Sequence, residues 1–146
     1  MAELLVSFII RSRRTSPTGQ RIWEDGLAEG YWTSRLEKGD DGAYRPQPVP
    51  PGWYELVKLN SAQLEAVKGA IDAADVSSMP AHIDSVAEGQ SDPSWAEWQI
   101  QTDDGLKTVR VAQWGPLDER AEPLMDLLLQ ITNTVNAALA GSRDAP

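Results

Sequence analysis

Four prolines within six residues, in the run Arg45-Pro46-Gln47-Pro48-Val49-Pro50-Pro51-Gly52, constrain this chain more than any other feature. Proline locks φ and removes a backbone donor, so the run is excluded from a helix and from a central strand. An extended, polyproline-type connector is the expectation. Aromatic residues crowd both of its flanks: Tyr31, Trp32 and Tyr44 before it, Trp53 and Tyr54 after it. Trp and Tyr are favoured interface anchors, and with proline they form grooves for peptides or flat ligands. The competing expectation is that the connector crosses an uncovered sheet face and these rings fill a second small core. Pro46–Pro51 also has the composition of a ligand for a proline-binding domain, although a rigid spacer needs no partner.

Hydrophobic periodicity divides the rest. Leu4, Val6, Phe8 and Ile10 alternate with Leu5 and Ile9, which predicts a strand over 4–11, buried on at least one face and central in its sheet. Gln20–Trp23, Tyr31–Glu37 and Trp53–Leu59 are further strand candidates, the first two closed by Glu24-Asp25-Gly26 and Asp40-Asp41-Gly42. Asn60 and Gln63 stand at capping-box spacing ahead of Leu64, Val67, Ile71 and Ala74, predicting a helix over 61–75. Residues 77–93 show no sustained period and are expected to form a long acidic loop. Ala96, Trp98 and Ile100 then alternate into Asp103-Asp104-Gly105, and Val109 and Val111 alternate out of it, as in a hairpin. Leu124, Leu127, Leu128, Ile131, Val135 and Leu139 make one helical stripe, with Gly141 placed to end it. The order predicts an α+β fold: a single domain over 1–141, an antiparallel sheet with two amphipathic helices packed on one face, and a polar tail at 142–146.

The length of 146 residues suits one domain. A chain without cysteine excludes a disulfide framework, thiol catalysis and Cys-ligated metal, and its single His excludes a two-His site. The apolar run at the N-terminus has its arginines after it rather than before it, the wrong order for a secretory signal. No stretch approaches a membrane span of about 20 apolar residues. A cytoplasmic protein is the expectation, with no membrane partner. The net charge is −9, and residues 65–104, with nine acids and one base, carry −8 of it. Phosphate contacts need a basic face, so nucleic acid is not expected, whereas a basic protein partner is allowed.

Each chemical constellation has a plainer reading beside it. His82 and Asp84 could pair as base and orienter, with Ser77, Ser78 or Ser85 as nucleophile, but no G-x-S-x-G elbow occurs and a loop histidine accounts for the pattern. Asp84, Glu88 and Asp92 are four apart, yet Pro80, Gly89 and Pro93 oppose a helix there and no calcium-loop motif is found, so no metal is assigned. No phosphate-binding glycine motif occurs, and no cofactor is expected.

The strand Val6-Ser7-Phe8-Ile9-Ile10-Arg11-Ser12, the helix Ser61–Val67 after Leu59, Met79-Pro80, the hairpin Trp98–Val111 and the final Leu-rich helix follow one another in an order that resembles the small emfourin-like proteins. That family includes inhibitors of thermolysin-type metalloproteases. The resemblance covers about residues 4–140; the segment 26–53 departs from it, and no inhibitory residue is carried over.

The expected function is a non-enzymatic, acidic protein-interaction module, inhibitor- or immunity-like. Its candidate surface is Tyr31, Trp32, Tyr44, Trp53 and Tyr54 together with His82, Asp84, Glu88 and Asp92. Its partner is another protein or a second copy of the chain, as a homodimer. The alternative is a small-molecule or glycan binder using a Trp/Tyr groove, and the third reading is a hydrolase-like enzyme.

Overall fold

The computed structural model describes residues 3–12, 17–83, 94–112 and 121–144. Its architecture is mixed α and β and mostly sheet. Among the described residues, seven strands, β1 (Leu4–Ser12), β2 (Thr18–Trp23), β3 (Leu27–Lys38), β4 (Tyr44–Lys58), β5 (His82–Ile83), β6 (Ser94–Thr102) and β7 (Gly105–Ala112), accompany two helices, α1 (Ser61–Ala74) and α2 (Glu122–Asp144). The strands form one sheet in the order β4-β3-β2-β1-β6-β7-β5. The predicted strand at 4–11 is central, as expected. The sheet is not wholly antiparallel, because β5 runs parallel to β7, pairing His82 with Arg110 and Ile83 with Val111. That pairing takes two residues from the 77–93 segment expected to be loop, and a 3-10 turn over Val76–Ser78 takes Ser77 and Ser78 as well.

Register explains the core. Val6 faces Ile100, Phe8 faces Trp98 and Ile10 faces Ala96, while Trp98 and Ala96 face Val109 and Val111 on β7. Directly opposed residues share a face, so apolar positions accumulate in rows across the strands. Phe8 and Trp98 stack with their rings tilted and 5.0 Å apart. Apart from Ile10, which packs partly buried against them, these residues join Ile22 and Ala28 in one buried cluster with Val67, Ile71 and Ala74 of α1 and Leu124, Leu127, Ile131 and Val135 of α2. The simple alternation expected for the first strand breaks at its start. A bulge between Leu4 and Val6 places Leu4 opposite Trp23 and Val6 opposite Ile22, and Leu5 is buried with the core.

The helix boundaries follow their caps. Asn60 accepts from the Gln63 backbone while the Gln63 side chain accepts from the Asn60 N–H, the predicted capping box. Gly141 does not end α2, which runs on to Asp144, so the polar tail expected from 142 is helical in its first three residues.

The proline run is a strand rather than a connector. It forms part of β4, the outermost strand, pairing Pro46 with Leu36 and Pro48 with Ser34 on β3. An edge strand needs donors on one side only, so prolines whose nitrogens face outward cost no ladder bonds. Fewer donors along this stretch also make the edge a poorer template for another strand. Between the Trp32–Gly52 and Ser34–Pro48 pairs, Thr33 alone opposes Val49–Pro51, and this irregularity absorbs the adjacent Pro50 and Pro51. Beyond it the two strands continue as an arm closed by the Asp40-Asp41-Gly42 turn.

Two turn glycines have left-handed φ for different stakes. Gly26 (φ 95°) also lies under the Leu59 backbone, where an added Cβ would stand 2.7 Å from the carbonyl oxygen, whereas Gly42 (φ 84°) has open space there. Gly42→Ala should cost about 1 kcal/mol for strain alone, and Gly26→Ala about 2–3 kcal/mol, since strain and clash add. Urea unfolding of the two variants checks the order; equal losses would contradict the Gly26–Leu59 contact.

Candidate functional site

The residues between the core positions define the site. Ser7 pairs with Arg21 and Gln99, and Arg21 pairs with Glu29; in the next row Ile9 pairs with Gly19 and Glu97, Gly19 with Tyr31, and Tyr31 with Trp53. By register these two rows share one side of the sheet, opposite Phe8 and Trp98. Leu4, Ser7, Ile9, Arg21, Trp53, Glu97 and Gln99 line an open depression of about 200 Å³ there.

Arg21 organises one end. Its Nε donates to Glu29 Oε1 at 2.7 Å, and its guanidinium lies 4.9 Å from the Trp23 ring centre and 4.3 Å from that of Trp53. Glu29 also accepts from Trp23 Nε1. Tyr31 meets Trp53 edge to face at 5.4 Å. The carboxylate side chain is 12% exposed. Its burial pushes the pKa up, but hydrogen bonds from Arg21 and Trp23 and the Arg21 charge outweigh that and hold it below the usual glutamate range. The planar guanidinium is thus fixed on two rings and a carboxylate. At the other end Arg110 lies 5.4 Å from the Trp95 ring and 3.8 Å from Glu97.

The predicted aromatic group is divided by this geometry. Tyr31 and Trp53 stand together beside the depression. Tyr54 and Trp32 sit at the opposite register, Tyr54 opposed to Gly30 and the Trp32 ring lying over Gly30, within 2.4 Å of where a Cβ would be. Tyr54 donates its hydroxyl to the Pro50 carbonyl. Tyr44 is at the far end of the arm, 66% exposed. The five aromatics expected on one surface are thus divided, because alternation along β3 and β4 separates neighbours such as Tyr31 and Trp32. His82 is exposed on β5, and Ser78 donates to the Asp75 carboxylate and backbone carbonyl. Asp84, Ser85, Glu88 and Asp92, and hence the His82–Asp84 pair and the acidic trio, lie outside the described residues, as does Trp114.

Other concavities accompany the site among the described residues. One, of about 520 Å³, lies between α1 and α2 and is lined mainly by Ala66, Ala70, Ala73 and Pro123, with Asp126 and Gln130. Another, of about 230 Å³, gathers Asp72, Asp75 and Asp103, so part of the acidic block converges in space. Among the described residues no group of three His, Asp or Glu is arranged to hold a metal ion, and no helix is long and apolar enough to cross a membrane.

Ser7, Arg21, Glu29, Glu97, Gln99 and Arg110 were not among the sequence candidates. Their signal was present as the polar half of each alternation: Ser7 between Val6 and Phe8, Glu97 and Gln99 around Trp98, Arg21 beside Ile22. No protein-family model and no curated protein matches the chain.

The depressed pKa of Glu29 sets a pH dependence. Its stabilisation is present above the unfolded glutamate pKa and is lost as pH falls through the lower folded pKa. Glu29→Gln should therefore destabilise more at pH 7 than at pH 3. Denaturant unfolding of wild type and variant at both values checks this; an equal gap would contradict a charged Arg21–Glu29 pair.

Proposed function

We propose that this protein is a non-enzymatic protein-interaction module, with its helices covering one sheet face and its contacts made by the other face and the β3–β4 arm. The observation that carries this reading is the arm itself. Leu36 is 68% exposed and Tyr44 66% exposed, paired strands hold them out, and Asp41 anchors the turn by bonding the Ala43 N–H and the Arg45 guanidinium. Exposed large apolar side chains on a hairpin favour a partner, since the paired backbone leaves less to order on binding. The prolines direct such a contact toward side chains rather than strand addition at that edge. The acidic block, including Asp72, Asp75 and Asp103, favours a partner with basic character. A cytoplasmic setting fits a chain without cysteine.

A photo-crosslinking residue at position 44, compared with one at Leu129, tests the reading in the source cell. Leu129 is 58% exposed on α2 and controls for exposure alone. A discrete adduct from position 44 and none from position 129 is expected, and an adduct of twice the chain mass would identify a second copy as the partner. No adduct from position 44, or equal adducts from both, would remove the arm from the function.

The emfourin-like order of motifs gives this module a specific form, an inhibitor of a thermolysin-type metalloprotease. Titration of such a protease with the full chain should then abolish peptide cleavage near one-to-one stoichiometry. Undiminished cleavage at large excess would leave the interaction module without that role.

A further inference from the structure

The arm and the depression beside Trp53 are separate features, and the depression has the chemistry of a small-ligand site. At about 200 Å³ it is below the roughly 300–1,000 Å³ of sites for drug-sized molecules, so a single ring is the scale of ligand it suits. Its charges are already paired: Arg21 with Glu29 at one end and Arg110 with Glu97 at the other. A net charge on the ligand would therefore find no unmatched counter-charge in the lining.

Hydrogen-bonding capacity remains. Ser7 is buried to 8% exposure in the floor, yet its hydroxyl makes no hydrogen bond among the described residues. A buried hydroxyl on the wall of an open depression, with no protein partner there, is placed to bond something that enters. Arg21 bonds Glu29 through Nε, and its two terminal nitrogens likewise make no hydrogen bond among those residues. Gln99 supplies both an acceptor and donors, and Glu97 supplies acceptors. Leu4, Ile9 and the Trp53 indole supply apolar surface. The lining thus offers donors, acceptors and an aromatic wall without net charge.

We infer that this depression is a subsite for a neutral polyhydroxylated ring, a single pyranose unit. Ring hydroxyls donate and accept at once, which matches Ser7, Gln99, Arg21 and Glu97, and the C–H face of the ring lies against Trp53. This goes beyond the interaction reading and does not depend on it.

The test uses the full chain and methyl glycosides of glucose, galactose, mannose and N-acetylglucosamine, followed by saturation-transfer NMR and tryptophan fluorescence. At least one glycoside should bind in the millimolar range and perturb the fluorescence. Gln99→Ala and Ser7→Val should each weaken that binding roughly five- to tenfold, the scale of one lost hydrogen bond. Their unfolding midpoints report whether each variant is folded, and because either variant can be used, loss of one does not spoil the test. Glucuronate and glucosamine, which carry charge, should bind no better than the neutral sugars. No transfer from any glycoside, binding unchanged in both variants, or tighter binding of a charged analogue would overturn the proposal. Sugar binding without an adduct at position 44, or the reverse, tells the two readings apart.

Discussion

A pleated strand sends successive side chains to opposite sides, and in β1, between β2 and β6 at the centre of the sheet, that constraint sorts the whole molecule. Val6 and Phe8 enter the cluster that also holds Val67, Ile71, Leu124, Leu127 and Ile131 of the helices. Ser7 and Ile9, the residues between, line an open depression with Arg21, Trp53, Glu97 and Gln99. Because pairing extends each residue into a row, one strand's alternation propagates outward through β2 and β3 on one side and through β6 and β7 on the other. A one-residue slip would exchange the two surfaces, placing Ser7 in the core and Phe8 outside, at a cost of several buried apolar side chains at about 1.5–3 kcal/mol each. The bulge at Leu5 is compatible with this because it lies at the start of the strand, before the core rows begin.

The two faces are held by different forces. On the apolar side burial of surface is non-directional, and shape is fixed by contacts such as Phe8 on Trp98. On the other side direction comes from electrostatics: Arg21 bonds Glu29, Glu29 bonds Trp23, and the guanidinium is flanked by Trp23 and Trp53. A half-buried arginine held this way loses little further freedom when it donates to a newcomer. The edges are handled separately again. β4 closes one side with prolines, and the two-residue β5 ends the other. Short or donor-poor edges discourage strand addition by other chains, which leaves side-chain surfaces as the means of recognition.

Much of this was legible in the sequence where one local rule acted without competition. The capping box at Asn60–Gln63, the Asp-Asp-Gly turns and the Trp98 hairpin each need only residues within a few positions of one another. The proline run is legible as an exclusion, neither helix nor central strand, but its status as an edge strand depends on β3 supplying the ladder, through Leu36 opposite Pro46 and Ser34 opposite Pro48. The helical continuation through Gly141 shows the same limit, since glycine permits a stop without requiring one. Nearness in sequence does not place the aromatic residues on one face. Tyr31 and Trp32 are adjacent in the chain and opposite across the sheet, while Tyr31 and Trp53 are twenty-two positions apart and in contact. Arg21 and Glu29 each stand on the polar half of their own strand's alternation, but their pairing is set by the register between β2 and β3, which neither stretch of sequence states alone.

Alternation in β1 and β6 separates a sealed surface from an accessible one. Hydroxyl-radical footprinting of the folded chain, read by mass spectrometry at single residues, tests this directly. Phe8 and Trp98 should be oxidised slowly and Trp53 and Trp95 many times faster, with the differences vanishing in denaturant. Comparable rates for Trp98 and Trp53 in the folded protein would contradict the two-faced sheet.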